Sequence, residues 1–227
     1  SLTPDGKLWG LQWHVDPNFA LMINPEVLDQ QGYTELPDLN SLQQLGDFLK
    51  QFWIVRNGQQ EMTTFLPNEV YGSFNSLLTM AFLNGANQNN YYNPETMKAT
   101  FNDPLLVEAL EWMVQFKREN IDYTRLAEMD ATLPEGLGRF QAGKSLMEPH
   151  VTVHLINNYK LNPDLMFAPM PSESLWIGGW SWGLTTAGSK ENKEAAWELL
   201  KWMTSTKEGA RSELEHFGWI SGIKDHP

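Results

Sequence analysis

No cysteine occurs among the 227 residues, and that absence removes disulfides, thiolate zinc sites and cysteine nucleophiles together. Basic residues are scarce as well. Sixteen Lys and Arg against 28 Asp and Glu leave a formal net charge of −12, so the surface repels nucleic acid and anionic lipid, and neither is expected as a partner. No apolar run approaches the roughly 20 residues that a membrane-spanning helix needs. Ser1-Leu2-Thr3-Pro4-Asp5 has no basic start or apolar signal region, so any export signal is expected outside these residues. Also missing are a Gly-x-Ser-x-Gly elbow and a phosphate-cradling glycine loop. What is present is globular: 41% hydrophobic and 12% aromatic residues exclude a disordered chain. The length suits one large domain or two small ones, with a real core in either case.

The patterning alternates short strands with helices. Gly6 to Trp13 reads as an extended strand. After a turn-like Asp16-Pro17, Phe19 to Ile23 reads as a second. Asn24 caps a short helix with Pro25 at its first position and Gly32 at its end. Ser41 and Gln44 form a capping box ahead of Leu42, Leu45, Leu49 and Phe52 at helical spacing. Met62 to Leu66 reads as a buried strand, Tyr71 to Asn84 as a helix stopped by Gly85, and Ala86 to Thr100 as a loop or weak hairpin. Asp103-Pro104 opens a helix with Leu106, Ala109, Leu110, Met113 and Phe116 on one side. Pro134 to Ala142 is expected to be helical up to Gly143, Ser145 to Met147 a strand, Val151 to Tyr159 a helix and Leu165 to Ala168 a strand. Helices around Ala195 to Met203 and from Thr206 to Gly218 complete an α/β layer structure. Ligands in such sheets bind at loops beyond strand ends.

Tryptophan sits beside glycine and polar residues rather than on helix faces, most densely in Trp176-Ile177-Gly178-Gly179-Trp180-Ser181-Trp182-Gly183. A flat ring beside residues without side chains can lie open to a cleft, and sugars need such a surface: their C–H faces stack on aromatic planes while their hydroxyls demand polar partners. The competing reading, that Trp180 and Trp182 share one strand face and fill a core, carries equal weight. Trp112, Trp197 and Trp202 fall within helices and read as packing residues. Trp13-His14-Val15-Asp16-Pro17-Asn18 concentrates ring, imidazole, carboxylate and amide at one loop, which is good polyol chemistry. A turn in which Asp16 bonds its own backbone is the alternative. Glu69, Tyr71, Phe74 and Asn75 open a helix, where Glu69 also favours the positive helix end. His150 and His154 are four apart, the spacing of one helix face, but with no Glu between them at the position a helical zinc hydrolase uses and no third ligand, no metal is expected. Asp16 with Glu148 reads alternatively as a glycosidase acid and base pair.

Three segments, in order, resemble the extracellular solute-binding proteins of bacterial ABC importers, in particular the sugar-binding group (family 1) that includes maltose-binding protein. They are Asp5-Gly6-Lys7-Leu8-Trp9-Gly10-Leu11 with Val15 to Leu21 and Asn24; Phe140-Gln141-Ala142-Gly143-Lys144-Ser145-Leu146-Met147; and Gly178-Gly179-Trp180 with Ala195-Ala196-Trp197 and Ser205 to Gly209. The resemblance implies a type II periplasmic-binding-protein-like α/β fold, mainly its C-terminal lobe, as three αβα layers. It divides the chain into an inter-lobe crossover strand at 1–12, a second ligand-binding lobe at 13–175 and a return segment at 176–227. It also implies that most of the first lobe lies outside this sequence, and that the return segment either folds back or finds another molecule, including a second copy.

On that resemblance Asp16 is the hydroxyl-binding carboxylate with Trp13 beside it, and Glu69, Tyr71 and Phe74 occupy cleft positions. His150 stands in Glu148-Pro149-His150 where relatives often carry tryptophan. Gln12 replaces a frequent proline, and Ile220-Ser221 a Leu-Pro pair. The expected function is capture of a carbohydrate and its delivery to permease subunits, outside the cytoplasm, with no cofactor and no bond breaking. Trp13 and Trp180 stack on the sugar, with Trp182 or Trp219 alongside. Asp16 and Glu69 accept hydroxyl protons, and His14, Tyr71, Asn75, Glu148 and His150 surround them. A carbohydrate-active enzyme and a sensory domain of the same fold remain the alternatives.

Overall fold

Nineteen elements follow one another in the computed structural model, which describes residues 10–18, 20–68, 70, 73–171 and 176–222. In chain order they are β1 (Leu11–Asn18), β2 (Ala20–Ile23), α1 (Pro25–Asp29), α2 (Leu42–Lys50), β3 (Ile54–Arg56), β4 (Gln59–Met62), α3 (Ser73–Leu83), α4 (Gln88–Tyr91), β5 (Tyr92–Asn93) and β6 (Lys98–Ala99). They continue with α5 (Pro104–Asn120), α6 (Tyr123–Asp130), β7 (Met147–His150), α7 (Thr152–Leu161), β8 (Met166–Pro169), β9 (Trp176–Trp182), α8 (Lys190–Ser205), α9 (Lys207–Phe217) and β10 (Ile220–Ser221). The chain divides into two units. The first takes Ser1–Asn18, Val151–Asn157 and Ile177–Pro227; the second takes Phe19–His150 and Asn158–Trp176.

The second unit is built on β2. Leu21, Met22 and Ile23 are apolar without alternation, as befits a strand covered on both faces. All three are buried, in the middle of an antiparallel sheet ordered β7-β2-β8. Around it α3 packs on α5, and α2 reaches α5 where a Cβ at Gly46 would come within 3.2 Å of the Trp112 ring. Caps fix the helix starts. Asn24 accepts from the Glu26 and Val27 amides, Asp103 from Leu105, and Asp122 from Thr124 and Arg125. At α2 the Ser41 hydroxyl accepts from the Gln44 amide, while the Gln44 side chain reaches back to the Asn40 N–H rather than to Ser41. The expected box is thus displaced by one residue.

Other expectations in this unit are corrected. Pro134 to Ala142 is a series of turns, because Gly136 takes φ 80° and the backbone bonds close locally, Leu137 N–H to Pro134 and Ala142 N–H to Gly138. The strand expected at Met62 to Leu66 ends at Met62. Asn57-Gly58, with φ of 52° and 80°, supplies the paired left-handed residues of a two-residue hairpin between β3 and β4. Beyond it Thr63 bridges Ser145, and Thr63 to Leu66 are still buried. Leu110 is exposed at the edge of the α5 face formed by Leu106, Ala109, Met113 and Phe116. The segment 86–100 holds α4 and the small β5–β6 hairpin.

The first unit is a three-stranded sheet ordered β10-β1-β9 with α8 and α9 packed on each other, α8 also against β1 and α9 against β10. β1 begins at Leu11 and passes straight through Asp16-Pro17, which is extended strand rather than a turn. Just before that dipeptide the strand is paired, with His14 opposite Ser221 and Val15 opposite Ile220. The part of the expected strand before Gly10 lies outside the described residues. Gly209 lets α9 start directly on the end of α8, where a Cβ would strike the Trp202 carbonyl. Gly218 closes α9 in the left-handed conformation, φ 69°.

Candidate functional site

Three segments of the first unit bring rings together. β1 supplies Trp13 and His14, β9 supplies Trp182, and the turn between α9 and β10 supplies Trp219. The Trp13 centroid lies 5.0 Å from Trp182 and 4.5 Å from Trp219, the latter edge to face. Trp219 in turn stacks on His14 at 4.5 Å and on Phe217 at 4.9 Å. His14 is buried to 2% exposure, whereas Trp182 keeps 42% of its surface and Trp180 66%. Trp180 and Trp182 of β9 therefore do not fill a core; the Trp176 side chain lies outside the described residues. Trp197 and Trp202, expected to be packing residues, are 40% and 43% exposed, and Leu200 is the buried residue of α8.

The spacing of β9 from β1 is set by two residues whose role the sequence pattern did not reveal. Gly179 has φ 149°, and a Cβ there would collide with the Gln12 amide and the His14 carbonyl. Gln12 fills the remaining gap. Its amide donates to the His14 carbonyl at 2.6 Å and to the Trp180 carbonyl at 3.5 Å, while its Oε1 accepts from the Ser181 hydroxyl at 3.4 Å. The Gln12 side chain therefore ties both strands together beside Trp180. A cavity of about 250 Å³ opens beside them, lined by Gly10, Leu11, Trp182, Gly183, Leu184, Trp197 and Leu200.

A carboxylate lies beneath these rings. Glu213 of α9 is only 3% exposed, and neither of its oxygens closes a hydrogen bond; the Trp13 Nε1–H is likewise unsatisfied. Burial pushes the Glu213 carboxyl up to about 7, and the nearby Trp13 N–H opposes this without reaching hydrogen-bond geometry. Nothing in the sequence singled out Glu213. Its one signal is an acidic residue in α9 in line with the buried Gly209 and Ala210, four and three residues before it.

The second unit holds a separate polar group. Glu148 and His150 are alternate residues of β7, so they share a sheet face, and Oε2 lies 3.2 Å from Nε2 with both side chains partly exposed. His150 is in a strand and His154 in α7, which removes the helix-face arrangement expected of an i, i+4 histidine pair. Asn75 is half-buried in the first turn of α3, where Ser76 anchors the chain by accepting from the Val70 amide at 2.8 Å. Another cavity, of about 300 Å³, is lined by Leu21, Leu36 to Asn40 and Ala168 to Pro171. Glu69 and Tyr71 lie outside the described residues, as do the side chains of Asp16 and Phe74. The Asp16–Glu148 acid and base pair therefore falls there too.

Comparison with known proteins bears on the whole chain. Curated protein sequences give no match. Among solved structures, CpMnBP1 with mannotriose bound superposes with a TM-score of 0.70 at 21% identity, over 98% of this chain and 57% of that one. Maltose-bound MalE3 of T. maritima gives 0.68 at 20%, over 98% and 56%. Lmo0181 of Listeria monocytogenes, in complex with cycloalternan, gives 0.67 at 17%, over 99% and 55%. This chain spans a little over half the length of these structures, and the likeness establishes the α/β fold of type II periplasmic binding proteins. The model of one family, described as bacterial extracellular solute-binding protein, matches residues 1–224, and the chain belongs to that family.

Proposed function

We propose that the protein belongs to a carbohydrate-capturing component of an ABC importer, working outside the cytoplasm and passing its ligand unchanged to permease subunits. One observation carries this reading: two indoles of β9, Trp180 and Trp182, stand exposed next to the Trp13–Trp219 ring cluster. Exposed large aromatics offer apolar faces to sugar C–H surfaces, and the indole N–H groups offer donors to hydroxyls. Similar solved structures whose names record mannotriose, maltose and cycloalternan support a saccharide over a peptide. In the second unit the Glu148–His150 pair offers acceptor and donor atoms at a partly exposed strand end, chemistry that suits a polyol hydroxyl. Asp16, Glu69, Tyr71, Phe74 and Asn75 are proposed as further ligand contacts on the family resemblance. Release follows from weakening these contacts, with no bond broken.

The test is titration of the protein with mono- and oligosaccharides, followed by tryptophan fluorescence and by thermal shift, since a ligand of the native state raises Tm. Oligosaccharides are expected to bind, and Trp180→Ala and Trp182→Ala each to weaken binding by about tenfold or more, roughly 1.4 kcal/mol per factor of ten. Silence toward every saccharide, together with a response to peptides or polyamines, overturns the reading.

A further inference from the structure

Glu213 has no evident use in the fold. A side chain at that burial is ordinarily apolar or fully hydrogen-bonded, since an unsatisfied buried polar group is costly. Here both carboxyl oxygens are buried without a hydrogen-bond partner, and so is the indole nitrogen of Trp13, the one side chain that acts on the carboxyl. Among the described residues the charged groups nearby are engaged elsewhere or form no ion pair with it. β1 brings Trp13 and His14, and the residue before β10 is Trp219. On α8, packed against α9, Lys201 pairs with Glu198 at 2.7 Å and Lys190 with Glu194 at 3.7 Å. On α9 itself Arg211 reaches toward Glu215 at 4.0 Å, and the His216 ring lies 2.9 Å from the Ser212 carbonyl. Among the described residues no ion pair reaches Glu213. The carboxyl thus sits between two incompatible states: neutral, it is accommodated under the rings; ionised, it must draw water in, swing outward or pull the indole toward itself.

We propose that Glu213 is a positioning residue for Trp13, its charge state setting how the indole is held in the ring cluster and hence how well the cluster grips a stacked ligand. The ligand half of this rests on Trp13 serving as a stacking surface; the coupling between carboxyl and indole does not. Burial places the change of charge near neutral pH. The neutral form is the one the packing fits, so grip is strongest on the acid side and declines as pH rises.

Proton–nitrogen NMR of the tryptophan indoles between pH 5.5 and 8.5 tests it, with the Trp13 signal assigned by Trp13→Phe. The expected result is a transition of the Trp13 resonance near pH 7 that is lost in Glu213→Gln. Saccharide affinity should fall about fivefold across the same range in the parent and stay level in the variant, a coupling at the low end of the usual range. A Trp13 resonance that does not titrate overturns the inference. So does one that titrates equally in Glu213→Gln, because His14 is then the responsible group. Should Glu213→Gln fail to fold, carbon NMR of the Glu213 carboxyl in the parent decides: titration with an ordinary glutamate midpoint overturns it, and co-titration with the Trp13 indole supports it. Loss of all saccharide binding with the Trp13 transition intact overturns the functional reading alone.

Discussion

The two units spend their apolar residues differently. In the second, Leu21, Ile23, Leu45, Phe52, Met80, Leu106 and Leu146 are essentially inaccessible, drawn from strands and helices that cover one another. In the first, Trp180, Trp182, Leu184, Trp197, Leu199, Trp202, Leu214, Phe217 and Ile220 are all exposed, while Leu200 and Ala210 are buried. Burial of apolar area is the main favourable term in folding. The second unit therefore contains the larger part of its own stabilisation. The first depends more on strand pairing, tight glycine contacts and ring packing, and it leaves aromatic surface exposed.

The sharpest way to break this comparison is to truncate matched leucines. Leu45→Ala, at a fully buried position in α2, is expected to cost about 2–5 kcal/mol of unfolding free energy. Leu199→Ala, exposed on α8, is expected to stay within about 0.5 kcal/mol. Urea denaturation measures both. A Leu199 variant as damaging as the Leu45 variant shows that the α8 surface is covered after all.

Next in size is the pH response of the first unit. Burial pushes the Glu213 carboxyl up from its ordinary value of 4.5 to about 7 in the folded protein. With a raised acid, the folded state holds the proton more tightly than the unfolded one. Its contribution is complete below the unfolded value and is lost as pH rises through about 7. At about 1.4 kcal/mol per pKa unit the loss is on the order of 3 kcal/mol. Glu213→Gln should accordingly match or trail the parent near pH 4.5, gain on it up to about pH 7 and keep that gain at higher pH. Denaturation midpoints of both proteins at several pH values check this, and a gap that does not widen with pH assigns the burial of Glu213 no energetic weight.

Smaller again is the contact between α8 and α9. Gly209→Ala places a methyl group against the Trp202 carbonyl and the Met203 backbone, and neither is the far end of a flexible side chain. A cost of about 1–3 kcal/mol is expected from overpacking. Thermal denaturation followed through tryptophan emission reports it. A neutral outcome means that the two helices shift apart freely.

Much of this architecture could be read from residue order, and the failures have physical causes. Caps such as Asn24, Ser41, Asp103 and Thr206 were legible because a side-chain acceptor at a helix start acts locally. The strand at Phe19 to Ile23 was legible because a continuous apolar run needs cover on both faces; the described strand is Ala20–Ile23. Pro134 to Ala142 misled because helical spacing says nothing about the left-handed backbone that Gly136 adopts. Asn57-Gly58 carried a plain hairpin signal, but its flanks Arg56, Gln59, Gln60 and Glu61 lack the apolar alternation that marks strands. In the ring cluster, glycine beside tryptophan in 176–183 pointed to open indoles, and Trp180 and Trp182 are open. Glu213 and Gln12 could not be found that way. Their importance depends on which strands and helices face them, and that is long-range information.

The smallest effect concerns a charge pair in the second unit, at the turn where a helix was expected. Arg139 donates from Nε and Nη2 to the two oxygens of Asp130 at 2.7 and 2.9 Å, and this hydrogen bonding holds the Asp130 carboxyl below its ordinary value. The sign is opposite to that of Glu213. A depressed acid stabilises the fold above its unfolded pKa and loses that contribution as pH falls through the folded value. Both partners are substantially exposed, and solvent screens such pairs to about 1 kcal/mol or less even in two-pronged geometry. Arg139→Gln is therefore expected to lower stability at pH 7 by a few tenths of a kcal/mol to about 1, with the difference vanishing in acid and shrinking in high salt. In a unit held by Leu45, Phe52 and their neighbours, a larger cost means that the pair fixes the turns at 134–143. The core positions those turns cover would then rely on it, and a second measurement of Leu146 burial by hydrogen exchange would reveal the dependence.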